Sequence, residues 1–337
     1  MFWSEEELTM VRASSIYQEI IDQKAHLEKE FLALKPVLDR WHQNIGDIKL
    51  EDFMYACALS LSAIYRRYRH LSADNYISSM ENFKGHIFDF LNHDGISEAV
   101  LLSDDIKETS EVIADRDYAV GEQVLIRYGK FPNATLMLDF GFTHPYNIHD
   151  QVQIWMDLPK HDPLYSSKLG ILAKHWFPSS PEANDLNSSG CSFLIREVKS
   201  PKAKGKGIPQ ALRAYTRILS ITSHEELEAL VIEAAENDGR LARLPLRNTE
   251  SEIHAHSILL SQFTHLIQER DAAVKVLESM SSLDAISRVA IRKKMAIDLL
   301  NGEIRVLRSA CAWLTNYCAN LSACNGGENI RRINTAL

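Results

Sequence analysis

Apolar and polar positions change their period twice along this chain of 337 residues. Over residues 4–70 the period is helical. Ile20, Leu27, Phe31 and Leu34 share one face, as the 3.6-residue turn requires. Ser4 with Glu7 and Ser15 with Gln18 fit capping boxes. Pro36 follows near the end of this helix, and a second helix is predicted over LEDFMYACALSLSAIYRRY. From about Phe88 to Leu158 the pattern shortens. The runs AVLL, YAV, QVLI and VQIWM are split by HDG, VGE and RYGKFPN, the punctuation of short strands and turns. Within it, Val124, Ile126 and Tyr128 alternate as a half-buried strand ending on Tyr128, and Gly129 permits a turn. Asn133 is a good N-cap, Ala134 to Leu138 form helix readily, and Gly141 sits where a helix C-terminus favours glycine.

Between about Pro159 and Lys206 the sequence reads as loop, including FPSSPEANDLNSSG and KSPKAKGKGIP. A domain boundary is placed near the start of this stretch, giving domains 1–157 and 158–330. From Ile208 onward helices dominate. The last is predicted from near Ser282. Ile286, Ala290, Lys293, Ile297, Leu300, Ile304, Leu307, Cys311, Leu314, Cys318 and Leu321 recur in steps of three and four, a seam on a helix of roughly 35–40 residues and about 55 Å. Gly302 weakens that helix by about 1 kcal/mol relative to alanine.

Composition narrows the classes. With 45 % apolar and 24 % charged residues the chain is ordinary globular material. A net charge of −8 disfavours nucleic acid and anionic membrane surfaces. No apolar window has the length of a membrane span. Five cysteines without C-x-x-C spacing suit packed thiols in a reducing compartment. His254 and His256, two apart in a helical stretch, do not share a face, and His144 and His149 flank a loop without clustered carboxylates, so no metal site is expected. The glycines and lysines of KAKGKGIP lack phosphate-loop spacing and read as a solvated hinge.

FLNHDG, followed by GEQVLIRYG and NATLMLDFGF, resembles the carboxyl-terminal half of a SET domain, in the branch of the plant Rubisco large-subunit lysine methyltransferases. PQALRAYTRIL and EIRVLRSACAWL resemble that branch's helical substrate-binding domain, and the WSEEEL helices its insert. The resemblance implies an α+β fold: a partial SET domain with short strands, a pseudoknot and a helical insert, then an all-α domain. It implies a protein-lysine N-methyltransferase dependent on S-adenosylmethionine, acting on a non-histone protein, the Rubisco large subunit or another plastid protein, with a chloroplast address. The sequence shows no transit peptide, so the cytoplasm is the alternative, and a monomer is expected. It assigns Asn92, His93 and Phe142 to the cofactor, Asp89 and Phe140 to the substrate lysine, and the active-site hydroxyl to Tyr128. Phe140 stands where the family usually has tyrosine, removing one hydroxyl from the lysine channel.

The chemistry suits these residue types. In-line methyl transfer requires a neutral amine, and a lysine of ordinary pKa is neutral about once in 2,500 at pH 7, a handicap of roughly 4.6 kcal/mol. Burial beside a sulfonium lowers that pKa, so no dedicated carboxylate base is needed. Two family elements are not found in this sequence: the Gly-rich strand-turn for the adenosine end, and the segment ahead of Asn-His whose arginine could be Arg66, Arg67 or Arg69. A truncated form is therefore expected, and the alternative function is a catalytically silent module that docks a substrate or partner protein.

Overall fold

Capping chemistry sets the first helix. In α1 (Glu5–Thr9) the Ser4 hydroxyl accepts from the Glu7 amide, and Glu7 reaches back to the Ser4 amide, so the capping box forms as predicted. The computed structural model describes residues 2–46, 48–67, 91–104, 109–176, 190–200, 205–280 and 287–324. The helix α2 (Ile16–Ile45) buries Ile16, Ile20, Leu27 and Phe31 and continues through Pro36 instead of ending near it. Pro36 is exposed, so the carbonyl that its ring deprives of a donor faces water, and the cost of an internal proline falls on a solvated face. The predicted second helix is α3 (Leu50–Arg67).

The chain divides into two compact units. The first contains residues 1–12, 16–149 and 286–299, and the second 13–15, 150–285 and 300–337. In the first, β1 (Asn92–His93) pairs in parallel with β4 (Leu125–Ile126), and β2 (Val100–Asp104) pairs antiparallel with β3 (Thr109–Ile113). The YAV run forms no strand, and Val120 is fully exposed. The strand read as ending on Tyr128 stops at Ile126, two residues short.

The turn beyond it also departs from expectation. Pro132, not Asn133, is the N-cap of α4 (Asn133–Thr135), and no side chain caps that end. Asn133 is fully buried; its amide donates to the His144 carbonyl and its oxygen accepts from the His144 amide, each at 2.9 Å. The helix then widens into a π turn, Leu136–Phe140, closed by Gly141 at φ 78°. That left-handed conformation favours glycine, as predicted.

In the second unit, β5 (Gln151–Asp157) and β6 (Gly190–Arg196) pair antiparallel along seven residues, from Gln151↔Arg196 to Asp157↔Gly190. Alternation buries Val152, Ile154, Met156, Phe193 and Ile195 on one face and leaves Trp155 on the other. The stretch read as loop thus holds a strand and a helix, α5 (Tyr165–Trp176). Polar, serine-rich composition concealed both. The helices α6 (Gln210–Ser220), α7 (His224–Glu236), α8 (Thr249–Ser279) and α9 (Arg288–Cys324) complete the order. The last has 37 residues, within the predicted length.

Two glycines in this unit act through close approach. Gly205, at φ 64°, packs against the Trp313 ring, and Gly205, Gly207 and Ile208 of the stretch read as a solvated hinge are buried while Lys206 is exposed. Gly302 lets the Asp150 carboxylate touch the α9 backbone where a β-carbon would stand. The propensity cost read from sequence missed that contact.

Candidate functional site

The site is assembled by the β1–β4 pair and the turn that follows it. Parallel pairing sets Asn92 opposite Leu125 and His93 opposite Ile126. Successive strand residues face opposite ways, so His93 turns inward while Asn92 is exposed. The Tyr128 amide donates to His93 Nδ1 at 2.9 Å. That nitrogen therefore carries no proton, which puts the imidazole hydrogen on Nε2. Tyr128 is 4 % exposed, and its hydroxyl donates to the carbonyl of Leu91 at 2.6 Å.

Rings close around this pair. His93 lies 5.1 Å from Tyr128 and 5.8 Å from Phe142, centroid to centroid. Phe140 is 5.4 Å from Tyr128, 5.6 Å from Phe131 and 6.3 Å from Phe142. The π turn and left-handed Gly141 bring Phe140 and Phe142 back onto Tyr128. A π turn inside a helix frequently marks a functional site.

The structure thus gathers Tyr128, His93, Phe140 and Phe142 in one cluster, with Asn92 on the outer face of the same strand pair. Asp89 and Arg69 lie outside the described residues, as do the side chains of Arg66 and Arg67. Two contributors escaped the sequence reading. His144, read as flanking a loop, lies tilted 5.1 Å from His93 and edge-on to Phe142 at 5.7 Å. Its Nε2 is buried and has no hydrogen-bond partner among the described residues. The Leu91 carbonyl is backbone, and no side-chain pattern announces it. Only the short step from Phe142 through Thr143 to His144 could have pointed to His144, through the reach of Asn133 across the turn.

Chemically the cluster is a dry aromatic wall around one hydroxyl and one carbonyl oxygen. A bound group with an electron-poor carbon would find two oxygens to hold it. Asn92 and His144 Nε2 offer unspent hydrogen-bonding capacity for a polar ligand.

Comparison with known proteins finds one family model and several similar proteins and solved structures. Residues 159–307 match the family model described as Rubisco LSMT substrate-binding. The chain is 24 % identical over 321 residues to the actin-histidine N-methyltransferase of Callithrix jacchus, covering 92 % of this chain and 49 % of that protein. It is 24 % identical over 328 residues to the chloroplastic [fructose-bisphosphate aldolase]-lysine N-methyltransferase of Arabidopsis thaliana, covering 91 % of this chain and 60 % of that protein. The chain spans about half the length of the curated actin-histidine relatives it matches. Among solved structures, Rubisco LSMT bound to sinefungin and monomethyllysine superposes with a TM-score of 0.64 at 18 % identity, covering 100 % of this chain and 74 % of that one. The SET domain of LSMT bound to lysine and AdoHcy gives a TM-score of 0.63 at 19 % identity, covering 96 % and 68 %.

Proposed function

Because the chain is an LSMT-like SET-domain protein in fold, we propose that it serves S-adenosylmethionine-dependent N-methylation of a lysine in a non-histone protein. The observation that carries this reading is the pair of oxygens, Tyr128 Oη and Leu91 O, held 2.6 Å apart within the aromatic cluster. S-adenosylmethionine supplies an electrophilic methyl group when bound. Tyr128 Oη and the Leu91 carbonyl are the oxygens that would accept weak C–H···O contacts from such a group and orient it. His93 fixes the Tyr128 backbone through its Nδ1, so the hydroxyl cannot drift. Phe140 and Phe142 exclude water from the acceptor amine, lowering its pKa toward the neutral form that reacts. Asn92, His93 and Phe142 are the residues for the cofactor, and Phe140 with Asp89 for the lysine. The fit is supported by exposed Asn92 and by the unpartnered Nε2 of His144.

The acceptor is proposed as lysine, in line with the lysine methyltransferase of Arabidopsis thaliana, although relatives acting on actin histidine are equally similar in identity. The two acceptors separate by pH. A lysine acceptor predicts kcat/KM still climbing above pH 8, whereas a histidine of ordinary pKa is already neutral near pH 7.5. The chloroplast address rests on the same plant relative, and a fluorescent fusion of the full-length protein checks it.

The experiment is calorimetric titration of the chain with S-adenosylmethionine, beside Asn92→Ala. Binding that Asn92→Ala weakens at least tenfold is expected, followed by methyl transfer that Tyr128→Phe suppresses. No binding at millimolar cofactor, in a folded chain, overturns the catalytic reading. It leaves residues 159–307 as a docking module.

A further inference from the structure

A cavity of about 390 Å³ lies in the first unit, and Phe140, whose ring is 5.4 Å from that of Tyr128, is one of its lining residues. That size suits a side chain or small molecule. Four aromatic rings line it: Phe2, Trp3, Tyr55 and Phe140. Phe2 and Tyr55 are solvent-exposed and sit 6.4 Å apart. Two acceptors also line it. The Gln23 Oε1 is buried and has no hydrogen-bond donor among the described residues. The Asp139 carboxylate, on the π turn itself, has neither a hydrogen bond nor an ion pair among them.

The cations on the opposite wall do not answer these acceptors. Arg288 and Arg292 both pair with Glu7 and both donate to the Phe2 carbonyl, at 2.5 and 2.7 Å. The Arg292 guanidinium also lies 5.2 Å over the Trp3 ring. Burial raises the Asp139 pKa from its ordinary value and the neighbouring charge of Glu19 raises it further, while the charge of the amino terminus lowers it in part. A half-buried carboxylate beside a second carboxylate, left without a donor, is costly unless a cation supplies one.

We infer that this cavity receives a basic side chain of the polypeptide substrate, an arginine or lysine close in sequence to the methylated residue, with Asp139 and Gln23 as its acceptors and the aromatic rings as its walls. Guanidinium and ammonium groups are attracted to aromatic faces and form charge-assisted bonds to carboxylates. Phe140 forms a wall of both the cavity and the Tyr128 cluster. Residues spaced at about 3.5 Å along an extended peptide can therefore occupy both within a few positions. The inference rests on the methyl-transfer reading for its choice of polypeptide, and on geometry alone for the cation.

The test uses the full chain without cofactor. The peptide acetyl-Gly-Arg-Gly-amide is titrated beside its citrulline counterpart, a neutral isostere. A charge-assisted bond predicts that the arginine peptide binds at least about tenfold tighter, and that Asp139→Asn abolishes the difference. Gln23→Leu reduces arginine binding as well. Thermal unfolding of Asp139→Asn is expected to be unchanged or raised, since a structural carboxylate would show a loss. Equal binding of the two peptides, or a preference that survives Asp139→Asn, overturns the inference. In a second arm, lysine peptides carrying arginine or glutamate beside the target are compared for methylation. Arginine is expected to lower KM in the native chain and not in Asp139→Asn. Methylation indifferent to the flanking charge sinks the inference and spares the reading of the enzyme. Arginine preference in titration without any methylation does the reverse.

Discussion

The cluster around Tyr128 and the cluster around Glu252 use similar side chains in opposite ways. Around Glu252, Arg217 Nη2 donates at 2.5 Å and Tyr317 Oη at 2.7 Å to one carboxylate oxygen, and Arg217 Nη1 reaches the Leu241 carbonyl at 2.6 Å. Arg213 Nε donates to His256 Nε2 at 3.0 Å, so the ring proton sits on Nδ1, which meets the Glu252 carbonyl at 2.8 Å. These five side chains are buried, and of their fully buried nitrogens and oxygens Arg217 Nε alone lacks a partner among the described residues. Around Tyr128 the arrangement is reversed. His144 Nε2 has no hydrogen-bond partner among the described residues and Asn92 faces solvent, and in the adjoining cavity Gln23 Oε1 likewise accepts no hydrogen bond among them. A network that answers every charge internally holds a fold, whereas one that leaves acceptors open is shaped for a ligand. Substitutions should therefore cost stability in the first and activity or binding in the second.

The largest effect is expected at Glu252. Glu252→Gln leaves Arg217 buried without its counter-charge, and breaking a buried pair costs about 3–5 kcal/mol. Urea unfolding measures it. A loss under about 1 kcal/mol would break the comparison at its firmer end.

Next is pH. Burial lowers the His256 pKa to about 4, against the pull of Glu252 and with the help of Arg213 and Arg217. Burial alone would raise the Glu252 pKa, but Arg217 and His256 outweigh it and hold it below the ordinary value. Tyr317 also faces the pair, with its pKa raised by burial. A histidine whose folded pKa lies below its unfolded 6.5 stays neutral in the fold while the unfolded chain takes up a proton. Its linked stability is thus complete above pH 6.5 and falls as pH drops toward 4, by up to roughly 3 kcal/mol. Glu252 has the same sign, losing its contribution as pH falls through its ordinary range. Unfolding midpoints at pH 7.5 and 5 should differ in this direction, and His256→Leu should flatten the slope.

At the other cluster, Tyr128→Phe removes one hydroxyl bonded to one carbonyl. Stability should fall by only about 1 kcal/mol, while methyl transfer at saturating cofactor falls about a hundredfold. A stability loss as large as that of Glu252→Gln, with transfer intact, would place Tyr128 among the structural residues.

How much of this could be read beforehand follows from range. Ser4 and Glu7 are three residues apart, and their capping box was legible because both partners lie in one window. So were the length of α9 and the left-handed Gly141. The aromatics Tyr128, Phe140 and Phe142, singled out by resemblance, lie in one cluster. What stayed hidden was held by distant partners. Asn133 looked like a cap, but its side chain is used across the turn on His144. Gly205 and Gly207 looked like hinge residues because nothing local shows that Trp313 and the Arg196 carbonyl fill the space a side chain would need. The strand β6 was missed because its pairing with β5 crosses more than thirty residues of polar sequence. Local propensity cannot report a contact whose other half is elsewhere.

The smallest effect, at Gly302, tests that point by its sign. Helix propensity alone predicts that Gly302→Ala stabilises α9 by about 1 kcal/mol. The structure places the Asp150 carboxylate against the bare backbone there, while Asp150 also pairs with Arg305 at 3.1 Å. A β-carbon must displace that carboxylate, and the pair with Arg305 then loses its geometry, so Gly302→Ala should cost about 1–2 kcal/mol net. In an Asp150→Ala background the obstruction is gone and the propensity gain is all that remains, so the same substitution should stabilise by about 1 kcal/mol. A double-mutant cycle by urea unfolding reads the reversal directly. If Gly302→Ala has the same sign in both backgrounds, the glycine is not held there by Asp150, and the second unit carries one fewer inward contact than the comparison assigns to it.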